Sequence, residues 1–168
     1  VITITKATLG FARYLLNNEE NAKERGVVIA HDNRFNHNEF QLAAANVLTS
    51  LGIKVYLFDA LRPTPELSFA VRYLNACGGI NITASHNPKQ YNGYKIYNSE
   101  GNQLILEQSN IVMDEISKIK NEHEINIIPN NELLEMEYGE NEYTQNINKQ
   151  VLKLTSMTNN LVMLSKID

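Results

Sequence analysis

A chain of 168 residues and 19.1 kDa has room for one ordinary hydrophobic core and a short stretch beyond it. With 43% hydrophobic and 20% charged residues it has the balance of a globular domain, and no apolar run approaches the roughly 20 residues that span a bilayer. A net charge of −4 without a clustered Lys/Arg stripe argues against nucleic acid, so the expectation is a small-molecule partner, no membrane and a cytoplasmic location.

In chain order, Ile4, Ala7, Phe11 and Leu15 recur at helical spacing, and Asn17-Asn18 offers a stop, which predicts a first amphipathic helix over 4–16. Val27, Val28, Ile29 and Ala30 then form a wholly apolar run, the pattern of a strand covered on both faces, ending in the polar segment HDNR. Phe40, Ala43, Ala44, Val47, Leu48 and Leu51 share one helical stripe, opened by cap-competent Asn36 and closed by Gly52 as a left-handed C-cap. Ile53 to Phe58 is β-branched and aromatic, hence a second strand, and it runs into DALRPTP.

Thr64-Pro65-Glu66 reads as a helix start, with Leu67, Ala70, Val71 and Leu74 as its buried face. Gly78-Gly79 leads into a third strand, Ile80 to Ala84, which delivers TASHNP, and Tyr94 to Tyr97 returns as a fourth. A helix over about 104–119 is expected from Leu106, Ile111, Ile116 and Ile119. Beyond Lys120 the Asn- and Glu-rich sequence reads as a connector as far as Tyr143; residues 143–154 allow a helix and 161–164 an opening strand.

Alternating strands and helices predict an α/β fold: a three-layer α/β/α domain around a mixed, largely parallel sheet of about four strands. Ligands of such sheets bind outside the carboxyl ends of the strands. HDNR, LRPTP and TASHNP each follow a strand, so connectivity gathers them on one rim. Cys77, in the apolar context LNACGGI, reads as a small buried hydrophobe rather than a nucleophile. His31, His37 and His123 have no companions at metal-ligand spacing. Tyr91, Tyr94 and Tyr97 are expected to pack around the serine loop.

Ser85, between Ala84 and His86 in a loop stiffened by Asn87-Pro88, fits two readings. One is an exposed nucleophile or phosphate carrier. The other is a capped turn in which Ser85 and Asn87 satisfy backbone donors. Arg34 is equally open: it can steady the serine loop, meet a phosphate with its planar fork, or pair with Asp32 or a surface carboxylate. Lys95 is either a charge partner beside the serine or a strand lysine pointing to solvent.

The longer string GGINITASHNPKQYNGYKIYNSEGNQL, Gly78 to Leu104, resembles the active-site segment of the α-D-phosphohexomutase superfamily. Asp32-Asn33-Arg34 after a strand and Pro63-Thr64-Pro65 before a helix match the same family in order and spacing, so the resemblance covers about residues 3–120. Within it, the TASHNP-x-x-YNGYK form is similar to the branch of phosphoglucomutases, phosphomannomutases and phosphopentomutases.

The resemblance implies that Ser85 carries a phosphate to a sugar monophosphate, through a sugar bisphosphate that acts as intermediate and activator. It implies His86 and Lys95 as catalytic groups assisting the transfer, with Lys95 the first choice for acid/base work, and Arg34 and Asn87 as substrate-side residues; by its residue type Asn87 is expected chiefly to shape the loop, its side-chain amide bonding nearby backbone. Mg²⁺ is implied, bound through the Ser85 phosphate and shared with carboxylates of a following domain.

The family's Gly-Thr-x-Gly-x-Arg strand, its Asp-Gly-Asp metal loop and its sugar-recognition loops do not occur within residues 1–168. The expected layout is therefore residues 1–125 as the domain carrying the phosphoserine loop, and 126–168 as a connector and incomplete start of a second domain. Its partners would be a sugar phosphate and the remaining domains, and these residues alone are expected to be inactive. The competing function is a non-catalytic interaction or regulatory module that keeps the fold.

Overall fold

The computed structural model describes residues 1–120 and 127–137. Within them, five helices and five strands follow in chain order: α1 (Ile2–Asn18), α2 (Ala22–Arg25), β1 (Val27–His31), α3 (His37–Ser50), β2 (Val55–Phe58), α4 (Thr64–Tyr73), β3 (Gly78–Ile82), β4 (Tyr94–Tyr97), α5 (Leu106–Ser117) and β5 (Leu134–Glu137). The strands form one sheet in the order β4-β3-β1-β2-β5. β1 runs parallel to β2 and β3, β5 runs parallel to β2, and β4 is antiparallel to β3.

The apolar runs explain the layering. Every residue of β1, β2 and β3 is buried, and strand alternation sends successive side chains to opposite faces. Val27, Ile29, Val55, Leu57, Ile80 and Ile82 meet Phe11, Leu15, Ala44, Leu48 and Val112 of α1, α3 and α5. Val28, Ala30, Tyr56 and Phe58 meet Leu67, Ala70 and Val71 of α4 on the other face. The result is the expected three-layer α/β/α arrangement.

Several boundaries differ from the sequence reading. β3 begins at Gly78, so the two glycines lie within the strand. A Cβ at Gly78 would lie 2.8 Å from Phe11, and one at Gly79 2.9 Å from Val71, so both faces of the sheet need the missing side chains to bring α1 and α4 close. Asn36 precedes α3 in the left-handed region (φ 60°) but its side chain makes no capping bond, whereas Gly52 (φ 78°) does end the helix, its N–H donating to Thr49 O.

In α5 the buried face is Val112 and Ile116, with Ile119 just beyond the helix end, while Leu106 is 78% exposed. Residues five apart drift around a helix, so Leu106, Ile111 and Ile116 do not share a face. β5, missed in the Asn- and Glu-rich stretch, adds a fourth parallel strand and is tied to its neighbour by the Lys54–Glu135 ion pair (2.7 Å). The expected helix at 143–154 and strand at 161–164 lie outside the described residues.

Candidate active site

The loops after β1, β2 and β3 meet on the carboxyl rim of the sheet, joined by backbone bonds from Asp32 N–H to Ile82 O (3.2 Å) and from Phe35 N–H to Lys89 O (3.1 Å). At the centre of that rim, Ser85 is exposed and held at φ 55°. The other described non-glycine residues at positive φ are Asn21, Asn36 and Asn75, a residue type that tolerates the left-handed region. Serine has no such tolerance, and the conformation costs about 1–2 kcal/mol.

What holds Ser85 there is Arg34. Its side chain is only 6% exposed, and its donors go almost entirely to the serine loop: Nη2 to Ser85 O (2.6 Å), and Nη1 to Asn87 O (2.7 Å), Pro88 O (3.0 Å) and Tyr91 O (3.1 Å). Nε donates to Asp32 Oδ2 (2.8 Å). Charge-assisted bonds of this kind contribute about 1.5–3 kcal/mol each, enough together to outweigh the strain at Ser85. Arg34 therefore both pairs with Asp32 and steadies the loop. With its donors committed in this way it does not present a free fork to a substrate phosphate, the third role open to it on sequence.

On the opposite side, β4 places Lys95 across from Asn81, and Lys95 Nζ donates to Ser85 Oγ at 2.7 Å. Lys95 is half-buried and turned to the serine rather than to solvent. His86 is exposed beside Ser85 and makes no hydrogen bond among the described residues. Asn87 is exposed too, and shapes the loop through its backbone, the N–H donating to Ala84 O (3.1 Å) and the C=O accepting from Arg34. Its side-chain amide forms no bond to nearby backbone among the described residues, contrary to expectation.

Three residues of the rim carried no signal of their own in the sequence. Thr83 Oγ1 donates to Asp32 Oδ2 (2.6 Å) and accepts from Ser85 N–H (3.1 Å). Asn81, 2% exposed, donates to Thr64 Oγ1 (2.8 Å) and so ties the start of α4 to β3. Arg62 borders a cavity of about 270 Å³ shared with Asp32, Asn33, Leu61 and Pro63, its guanidinium held by Asp59 (2.8 Å). Only the position of Thr83 within TASHNP and of Arg62 within LRPTP marks them as rim residues.

The remaining expectations resolve as packing. Burial pushes the Cys77 thiol up to about 12, which leaves it an inert core group. His31 and His37 stack with ring centroids 4.4 Å apart, and burial lowers the pKa of His31. Tyr94 and Tyr97 belong to the interior rather than to the serine loop: Tyr94 OH bonds Thr8 Oγ1 (2.8 Å), and burial raises its pKa. Tyr91 is exposed and joins the loop through its backbone. His123 lies outside the described residues.

Residues 2–123 match the family model for phosphoglucomutase/phosphomannomutase, alpha/beta/alpha domain I. The chain belongs to this family. A phosphoglucomutase of Staphylococcus haemolyticus is 48% identical over 133 residues, covering 79% of this chain and 24% of the relative. One from Staphylococcus saprophyticus is 43% identical over 155 residues, covering 90% of this chain and 28% of the relative. A crystal structure from Thermus thermophilus, named as that of a phosphomannomutase, superimposes with a TM-score of 0.60 at 34% identity over 81% of this chain and 28% of that one. The phosphoglucomutase/phosphomannomutase domain described here thus spans about a quarter of the length of the relatives it matches.

Proposed function

We propose that this chain is the phosphoserine-bearing part of a sugar-phosphate mutase that interconverts hexose 1-phosphates and hexose 6-phosphates through a hexose bisphosphate. The observation that carries the reading is the exposed Ser85 Oγ, 2.7 Å from Lys95 Nζ on the rim where such sheets bind ligands. In the resting protein Ser85 is phosphorylated. A hydroxyl of the sugar monophosphate attacks the phosphorus in line, the new O–P bond forms as the P–Oγ bond breaks, and the hydroxyl proton passes to His86. Ser85 Oγ, leaving with the electron pair, takes a proton from Lys95.

The bisphosphate then turns end for end and the transfers reverse. Ser85 Oγ attacks the other phosphate, its proton returns to Lys95, and the departing sugar oxygen takes the proton held on His86. Asn87 presents its exposed amide toward the sugar. Among the described residues no group of three His, Cys, Asp or Glu side chains could hold a metal ion. Asp32 is engaged by Arg34 and Thr83, so the one ligand proposed from this chain for Mg²⁺ is the Ser85 phosphate. When bound there, the ion would neutralise charge on the phosphoryl oxygens. Its carboxylates, and most of the sugar-binding surface, would come from beyond this domain, so residues 1–168 alone should not turn over at enzyme-like rates.

Isomerisation by the native protein purified from its source cells tests the reading, with glucose, mannose and ribose 1-phosphates compared. Turnover of a hexose phosphate that disappears in Ser85→Ala supports it. Ribose 1-phosphate as the preferred substrate would reassign it to the phosphopentomutases, and inactivity on all three would favour a binding module.

A further inference from the structure

Building on the reading of Ser85 as phosphate carrier, we infer that Asp32, Arg34 and Thr83 are positioning residues that aim Ser85 at Lys95 through its backbone. Their hydrogen bonds close a ring. Ser85 N–H donates to Thr83 Oγ1 (3.1 Å), Thr83 Oγ1 donates to Asp32 Oδ2 (2.6 Å), Asp32 Oδ2 accepts from Arg34 Nε (2.8 Å), and Arg34 Nη2 returns to Ser85 O (2.6 Å). Each direction is determined. Because Thr83 commits its only hydroxyl proton to the carboxylate, its oxygen is left as an acceptor facing the Ser85 amide.

The ring grips the N–H and the C=O of the one described residue that sits at positive φ without being Asn or Gly, and it leaves the Ser85 side chain to Lys95. Arg34 adds the carbonyls of Asn87, Pro88 and Tyr91, so one buried cation draws the loop carbonyls inward and turns the loop around a fixed point. Thr83 and Arg34 are 8% and 5% exposed, which keeps both from the substrate; they act on the reaction only through where they place Ser85. Backbone strain at a reactive residue, over-determined by surrounding contacts, is the pattern expected of a pre-organised site.

The test follows the nuclear Overhauser contact between the Ser85 Hβ and Lys95 Hε protons in the 168-residue chain. The 2.7 Å bond from Lys95 Nζ to Ser85 Oγ holds these side chains together, so the native chain should show the contact. Thr83→Val keeps the shape but loses the hydroxyl, and Arg34→Lys keeps the charge but loses the fork; in both the contact should largely vanish while near-ultraviolet circular dichroism stays native. Thr83→Ser should retain it. An undiminished contact in folded Thr83→Val and Arg34→Lys would overturn the inference, and if either variant does not fold, the other decides alone. Because the contact is read without substrate, it reports the geometry whether or not the protein isomerises sugars.

Discussion

Ser85 carries a strain that the chemistry needs and stability does not, so substitutions there should separate the two. At φ 55° an L-residue bears about 1–2 kcal/mol that glycine avoids. Glycine in turn loses about 0.5–1 kcal/mol more chain entropy on folding than alanine. Ser85→Gly should therefore be more stable than Ser85→Ala by about 0.75 kcal/mol, within a span of roughly 0–1.5 kcal/mol, a difference of at most about 6 °C in Tm for a chain of this size. The side-chain bond from Lys95 to Ser85 is lost in both variants and cancels. Parallel thermal unfolding followed by circular dichroism measures the difference, and Ser85→Asn should fall between the two. An alanine variant more stable than the glycine variant would show that the backbone here is not strained, and would remove the basis for a pre-organised serine.

Three further outcomes follow from the same contacts. Lys95→Met should lower kcat in the native protein by about a hundredfold to ten-thousandfold, with KM changing far less, because the lysine serves the leaving Oγ rather than the bound sugar. Gly93→Ala places a methyl 2.5 Å from Thr83 O, so the urea midpoint should fall by the equivalent of about 1–3 kcal/mol with an unchanged slope. His31, whose pKa is lowered from 6.5 chiefly by burial, binds its proton more readily unfolded than folded. Its contribution is therefore present above the unfolded pKa and lost as pH falls below it. Tm should drop on acidification from pH 7 through about 6, and the drop should be shallower in His31→Gln.

The layered core was legible because β1, β2 and β3 are apolar on both faces, a pattern that parallel strands covered by helices require. The rim was legible for a topological reason, since loops that follow parallel strands must gather at one edge. β5 was not: Leu-Glu-Met-Glu at a sheet edge is half polar, and its pairing with β2 is a long-range event that no local window contains. Ser85 and Lys95 stood out through the length of the motif around them. The hydrogen-bonded ring from Thr83 to Arg34 did not, because the bonds that join its two halves, Arg34 to Ser85 and Thr83 to Asp32, each span 51 positions of the chain and only the fold brings them together. Arg34 left three roles open on sequence, and burial with four loop carbonyls selects between them.

The central claim is that Ser85 carries the transferred phosphate. Incubating the native protein with a hexose bisphosphate radiolabelled in its phosphates, then digesting it and locating the label by mass spectrometry, tests this directly. Label is expected on the peptide containing Thr83 to Pro88, at Ser85, discharged by unlabelled hexose monophosphate. Sugar-phosphate isomerisation with no label on that peptide, or with the label on another residue, would contradict it.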